Sequence, residues 1–135
     1  MENRTVFDTN IWVSYFIGKK IDEIVKMTEK SIVFLHSTLS IDELIDVLSR
    51  KKFEKYNLNL EDIFLFYINI SDFCHTEPKF RDCPDPKDNF LFDLALQGNA
   101  KYLVSGDTDV LDTPVTSEIL QVTKLRKFKE ILQIQ

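Results

Sequence analysis

The chain has 135 residues, 44% of them hydrophobic, with only 3 glycines and 4 prolines. That is enough apolar material for one compact domain spanning residues 1–135 with a full core, and the composition excludes a disordered or collagen-like chain. A formal net charge of −5 speaks against a simple phosphate-neutralising surface, which would be basic, but leaves room for an acidic metal-holding site with basic residues on its rim.

Residues 4–8 read as a short buried strand that stops on Asp8 within V-F-D-T-N, and the apolar, helix-like run I-W-V-S-Y-F-I follows. Asp8 interrupts the only early apolar run, so no signal peptide is expected. Residues 21–29 predict a helix with Ile21, Ile24, Val25 and Met27 on its apolar side, and I-V-F-L-H (32–36) a second strand. In 37–50, Ile41, Leu44, Ile45 and Leu48 recur at helical spacing, and 60–70 continues apolar and helical. Residues 73–77 predict a third strand. A Pro-containing loop (81–88) then opens the helix F-L-F-D-L-A-L, with Gly98 at its C-cap. Residues 101–105 form a fourth strand ending on G-D-T-D; 119–122 supply a last strand, and a final helix starts after Thr123. Strands alternating with helices imply an α/β fold with a parallel sheet covered on both faces. No apolar run approaches the length of a membrane span. Two cysteines, Cys74 and Cys83, are too few for a disulfide framework and fit a reduced, cytoplasmic setting.

Burying a carboxylate without a partner is expensive, so each acidic residue at a strand end needs an explanation. Asp8 can cap the helix after it. Ser40-Ile41-Asp42-Glu43 has the S-x-x-E spacing of a capping box, and helical periodicity places Glu43 off the apolar stripe without distinguishing it from Asp42 or Asp46. In D-P-K-D-N, Asp85 fits an N-cap, Pro86 the first helical position and Asp88 the third, where the helix dipole favours it. Asp93 reads as a surface charge. Asp107 and Asp109 fit a tight turn after Ser105-Gly106.

Taken together the acids imply more. In open α/β sheets ligands bind beyond the carboxyl ends of the strands, where strand order reverses. Two carboxylates about 4 Å apart repel by ~1 kcal/mol in water and ~4 kcal/mol at an effective dielectric near 20. Several at one sheet end call for a divalent cation, and oxygen-only ligands suit Mg²⁺ or Mn²⁺.

V-F-D-T-N, Glu43 after Ser37, D-P-K-D-N and L-V-S-G-D-T-D-V-L together resemble the PIN domain, in order and over essentially the whole chain. The resemblance is greatest to the bacterial and archaeal branch that supplies toxins of toxin–antitoxin pairs. It implies a three-layer α/β/α sandwich and metal-dependent hydrolysis of RNA that leaves a 5′-phosphate and a 3′-hydroxyl. It implies Asp8, Glu43, Asp88 and Asp107 as the acidic cluster, Asp109 as a fifth metal ligand, and Asn10 and Ser105 as hydrogen-bonding supports. It selects Glu43 where periodicity does not. The chain departs from the family in carrying S-G-D-T-D where many relatives have a T-x-D form, which leaves open how Asp107 and Asp109 share the metal. A cognate antitoxin and a homodimer are the protein partners it implies, RNA the substrate.

Lys87, Arg81 and Arg50 are the cations placed to meet that substrate. Trp12, Tyr15 and Phe16, at helical spacing, suit the core or a dimer contact better than base stacking, and His36 suits a packed or hydrogen-bonded role. Cys74, His75 and Cys83 lack the spacing of a zinc finger. Two rival readings are a catalytically silent PIN-type module that binds RNA or protein, which a missing acid would have favoured, and a phosphoacceptor receiver domain, for which Glu77 and Lys124 are poor substitutes at the required positions.

Overall fold

The computed structural model describes residues 2–135. Five short strands, β1 (Asn3–Phe7), β2 (Ile32–His36), β3 (Ser71–Phe73), β4 (Tyr102–Val104) and β5 (Gln121–Thr123), form one sheet in the order β3-β2-β1-β4-β5. Every pairing is parallel. The helices are α1 (Thr9–Ile17), α2 (Ile21–Thr28), α3 (Thr38–Leu48), α4 (Leu60–Ile70), α5 (Asn89–Gln97), α6 (Thr108–Leu111) and α7 (Leu125–Ile131). They cover both faces and make the three-layer α/β/α sandwich that the alternation of elements predicts.

Side chains alternate across a strand with a period of two, and this divides the core. Phe7, Phe34, Tyr102 and Val104 point to one face, where they meet α1, α2, α3, α4 and α7. Val6, Leu35 and Leu103 point to the other, against Leu91, Phe92, Leu94 and Ala95 of α5 and Val110 of α6. Phe34, Phe92 and Leu103 are fully buried, each contributing about 1.5–3 kcal/mol by leaving water. Trp12, Tyr15 and Phe16 also lie buried in the core of their own chain, with Trp12 packed edge-on against Phe34 and Tyr67. They present no face to stack on a base, and of the apolar residues of α1 only Ile11 and Ile17 keep partial exposure.

Both edge strands start two residues from the predicted position, β3 earlier and β5 later. Chain pairing in β3 begins at Ser71, directly after α4, and the last ladder bond runs from Cys74 N–H to His36 C=O at 2.8 Å. Beyond His36 the chain of β2 turns into the cap of α3, so residues 74–77 have no strand to pair with. At β5 the N–H groups of Ile119 and Leu120 bond to Ser117 Oγ instead of to β4. Gly98 stands at the C-cap of α5 as expected, and the residue after it, Asn99, takes the left-handed conformation, with φ 54°. Gly98 answers a packing need, since a Cβ there would stand 2.7 Å from Leu35 Cδ1 and 2.7 Å from Leu94 C=O.

Strand order reverses between β1 and β4. From β1 the chain moves outward on one side to β2 and β3; it then returns through α5 on the opposite face to β4, beside β1. The two central strands therefore send their chains to opposite faces and open a crevice between their carboxyl ends.

Candidate active site

Asp8 and Ser105 sit on that crevice, one residue past β1 and β4. The Asp8 N–H extends the ladder to Val104 C=O at 2.8 Å, and Ser105 N–H does the same to Thr123 C=O at 3.0 Å. Asp8 occupies the N-cap position of α1, yet its side chain makes no capping bond. It accepts instead from Ser105 Oγ at 2.6 Å. Ser105 Oγ in turn accepts from the Asp107 N–H at 3.0 Å, so one buried hydroxyl ties both carboxylate-bearing turns together. Burial raises the Asp8 pKa above its ordinary value; the Ser105 bond and the Thr9 N–H oppose that, and the Asp107 charge adds to it.

Asp88 arrives from a third direction. Asp85 accepts from the Lys87 N–H at 3.1 Å and starts a 3-10 turn, Pro86–Asp88, with Pro86 in its first turn, as the motif predicts. Asp88 follows at the N-cap position of α5, again with no capping bond. Its carboxyl is pushed up to about 7, first by burial, then by the charges of Asp8, Asp85 and Asp107, and by contact with the Asp107 side chain. Asn89 Oδ1 accepts from the Cys83 N–H at 3.1 Å and holds the loop in front of the turn.

Glu43 stands apart from these three. The cap of α3 is Ser37, whose Oγ accepts from Ser40 N–H while Ser40 Oγ accepts from Ser37 N–H. The capping box thus belongs to Ser37 and Ser40, one turn earlier than the S-x-x-E pattern suggests, and Glu43 has no local capping duty. It is half-buried, whereas Asp42 and Asp46 are exposed, because the buried stripe of α3 runs through Ser40, Leu44 and Val47. Glu43 lines a cleft of about 830 Å³ between α3 and the loop before α5, facing Arg81, Lys87 and Asn89. Arg50 does not line the cleft; it makes an exposed ion pair with Asp46 at 3.5 Å. Asp107 Oδ1 accepts from the Asp109 N–H at 3.0 Å and caps α6, a short helix where the sequence predicts only a turn. Asp109 is exposed, as is Asn10 on the first turn of α1.

The charge of Asp107 thus acts on both Asp8 and Asp88, and that of Asp8 on Asp88; Asp109 adjoins these three through its N–H bond to Asp107, while Glu43 lines the cleft with Arg81 and Lys87. Among the described residues no lysine, arginine or histidine forms an ion pair with the three. Nor do three acidic, histidine or cysteine side chains there stand in a ready-made ion cage. By donor chemistry the set fits a hard divalent ion, since carboxylate oxygens are its ligands and their repulsion has no other neutralising partner.

A model of the PIN domain matches residues 4–109. The chain belongs to the PIN-domain family. The match runs from β1 to Asp109 and so takes in every acidic residue of the crevice. Among solved structures, a chain of VapBC2 from Rickettsia felis, bound to a DNA fragment from their promoter, has a similar fold. It is 18% identical, with a TM-score of 0.58, covering 88% of this chain and 98% of that one. No curated protein is significantly similar in sequence.

Two residues of this PIN domain were misjudged or missed by sequence reasoning. Asp93 is no surface charge: it is 6% exposed, and its Oδ1 accepts from the N–H groups of Lys79 and Phe80 at 3.0 and 2.8 Å. The signal was its place between Phe92 and Leu94, in a helix segment buried on all sides. Tyr67, whose hydroxyl lies 2.9 Å from Ser40 Oγ, had no signal beyond its helix. His36 is buried and bonds Ser71 through Nδ1 at 2.7 Å, the packed role expected of it.

Proposed function

We propose that this PIN domain is a metal-dependent endoribonuclease acting in the cytoplasm as the toxin of a toxin–antitoxin pair. The observation that carries the reading is the convergence of Asp8, Asp88 and Asp107 at the β1/β4 crevice with no ion pair to a cationic side chain among the described residues. Asp8, Glu43, Asp88 and Asp107 would hold Mg²⁺ or Mn²⁺, with Asp109 as an outer contributor. When bound, the ion supplies charge stabilisation at a phosphodiester and a more acidic water.

The remaining work falls to side chains of this chain. Ser105 fixes the Asp8 carboxylate and, through the Asp107 N–H, the start of α6, so two acids are oriented before substrate arrives. Asn10, exposed on the first turn of α1, is a further hydrogen-bonding support of the site. Arg81 and Lys87 on the cleft wall attract the RNA backbone toward the acids and offset part of the repulsion between phosphate and carboxylate. In-line attack of water on phosphorus would break the P–O3′ bond, with the proton lost by the water balanced by one taken up at O3′, and leave a 5′-phosphate and a 3′-hydroxyl.

The toxin role is supported by the fold shared with the VapBC2 chain; a short DNA-binding protein encoded next to this gene would be the cognate antitoxin. The test is incubation of the purified protein with a mixed RNA pool in Mg²⁺, Mn²⁺ or excess chelator, followed by mapping of the new ends. Cleavage that needs the metal and leaves 5′-phosphates supports the reading. Cleavage unchanged in chelator removes the metal mechanism, and binding without cleavage makes the protein a silent RNA-binding module.

A further inference from the structure

Segment 74–85 has no regular structure, yet it forms one wall of the cleft, with Pro78, Phe80 and Arg81 facing Glu43 on α3. An irregular segment keeps its place only if its backbone polar groups find partners. Here two α5 side chains one turn apart provide them. Buried Asp93 Oδ1 accepts from the N–H groups of Lys79 and Phe80 at 3.0 and 2.8 Å. Gln97 Nε2 donates to the same oxygen at 3.1 Å and to Glu77 C=O at 2.7 Å, while its Oε1 accepts from Glu77 N–H at 2.8 Å. Four hydrogen bonds thus strap residues 77–80 to α5, and the Gln97–Asp93 bond braces the two anchoring side chains against each other. The Phe80 ring completes the attachment by stacking on Phe92 with centroids 4.5 Å apart.

The strap sits immediately before Arg81. We infer that Asp93 and Gln97 are positioning residues, which hold Arg81 over the cleft so that it meets the RNA backbone on the approach to the acidic crevice. The inference rests on the nuclease reading for its substrate. Asp93 touches neither substrate nor reacting atoms; it acts through the loop. A carboxylate is suited to this task because it accepts several N–H bonds at once and binds them more strongly than a neutral oxygen. Loss of the strap frees Arg81 and charges the cost of reordering the loop to each binding event.

The test uses the full chain and a fluorescein-labelled single-stranded RNA of mixed sequence. Affinity is read by anisotropy in chelator, and KM and kcat are read from cleavage of the same RNA in Mn²⁺. Gln97→Ala, at a half-buried position, removes two of the four strap bonds and the brace to Asp93, and is expected to weaken RNA binding and raise KM by about tenfold. Its kcat should stay within about twofold of the parent, and its melting shift on adding Mn²⁺ should equal the parent's. Asp93→Asn, which retains an acceptor oxygen, should fall between the parent and Asp93→Ala. Because the strap acts through Arg81, Gln97→Ala should add little to the loss already caused by Arg81→Ala. Unchanged affinity and KM in Gln97→Ala, or a penalty fully additive with that of Arg81→Ala, would overturn the inference. If the parent binds RNA without cleaving it and the strap variants weaken binding, the inference stands and only the nuclease reading fails. If the parent neither binds nor cleaves, both fall.

Discussion

Ser105 Oγ donates a 2.6 Å hydrogen bond to Asp8 Oδ2, joining residues 97 positions apart in the chain. Both groups are buried, and the same oxygen accepts from the Asp107 N–H. A hydrogen bond to a charged group contributes about 1.5–3 kcal/mol. Ser105→Ala should therefore destabilise the protein by an amount of that order and lower RNA cleavage more than Ser105→Thr, which keeps a hydroxyl. Denaturant melts beside a cleavage assay check this; equal effects of the two substitutions would mean that the hydroxyl does not orient the acids.

Asp8 distinguishes a metal ligand from a helix cap. Asn caps about as well as Asp, so a purely structural Asp8 would tolerate the change. As a member of a repelling cluster, Asp8→Asn should stabilise the metal-free fold by on the order of 1 kcal/mol. The same variant should lose RNA cleavage, because an amide oxygen is a poorer ligand for a hard cation. Added Mg²⁺ or Mn²⁺ should raise the melting temperature of the parent and barely move that of the variant.

The metal-free protein should lose stability as pH rises toward neutrality. Asp88 is raised to about 7 in the fold from an ordinary 3.8, so the folded state binds more protons than the unfolded chain between those values. Its contribution is present below the lower value and is lost as pH climbs through about 7. Asp8, also raised, acts in the same direction. His36 opposes them: burial lowers its pKa from 6.5, so its part of the stability is present above 6.5 and is lost as pH falls from there through the lowered folded value. Comparing the parent with Asp88→Asn in chelator isolates the Asp88 share. The variant's melting temperature should fall less between pH 6 and pH 8, and an identical fall in both would remove Asp88 from the coupled set.

Asp107 and Asp109 should not be equivalent. Asp107 takes part in the raised protonation of both Asp8 and Asp88, whereas Asp109 is exposed and meets the site through its N–H alone. Asp107→Asn keeps an acceptor to cap α6, so it should abolish cleavage with little change in melting temperature. Asp109→Asn should weaken cleavage less. Negligible losses in both would exclude this turn from the chemistry.

The features legible in the amino-acid order lie mostly within single elements. The apolar run I-V-F-L-H places β2 to the residue and the apolar, helical run 60–70 does the same for α4, and D-P-K-D announces both the Asp85 cap and the turn that presents Asp88. Motif order identified the family. The tertiary structure decided the questions that need a second element. Ser37, at the end of β2, takes the cap of α3 and so releases Glu43 from the S-x-x-E reading. A backbone segment 13 and 14 residues upstream turns Asp93 from a surface charge into a buried anchor. Residues 74–77 lose their strand because β2 ends at His36. Above all, Asp8 and Asp107 meet only because β4 pairs with β1 and not with β3, its predecessor in the chain. Local periodicity reports which face of an element is apolar; convergence of charges nearly 100 residues apart depends on strand order, which is set by how all the faces pack at once.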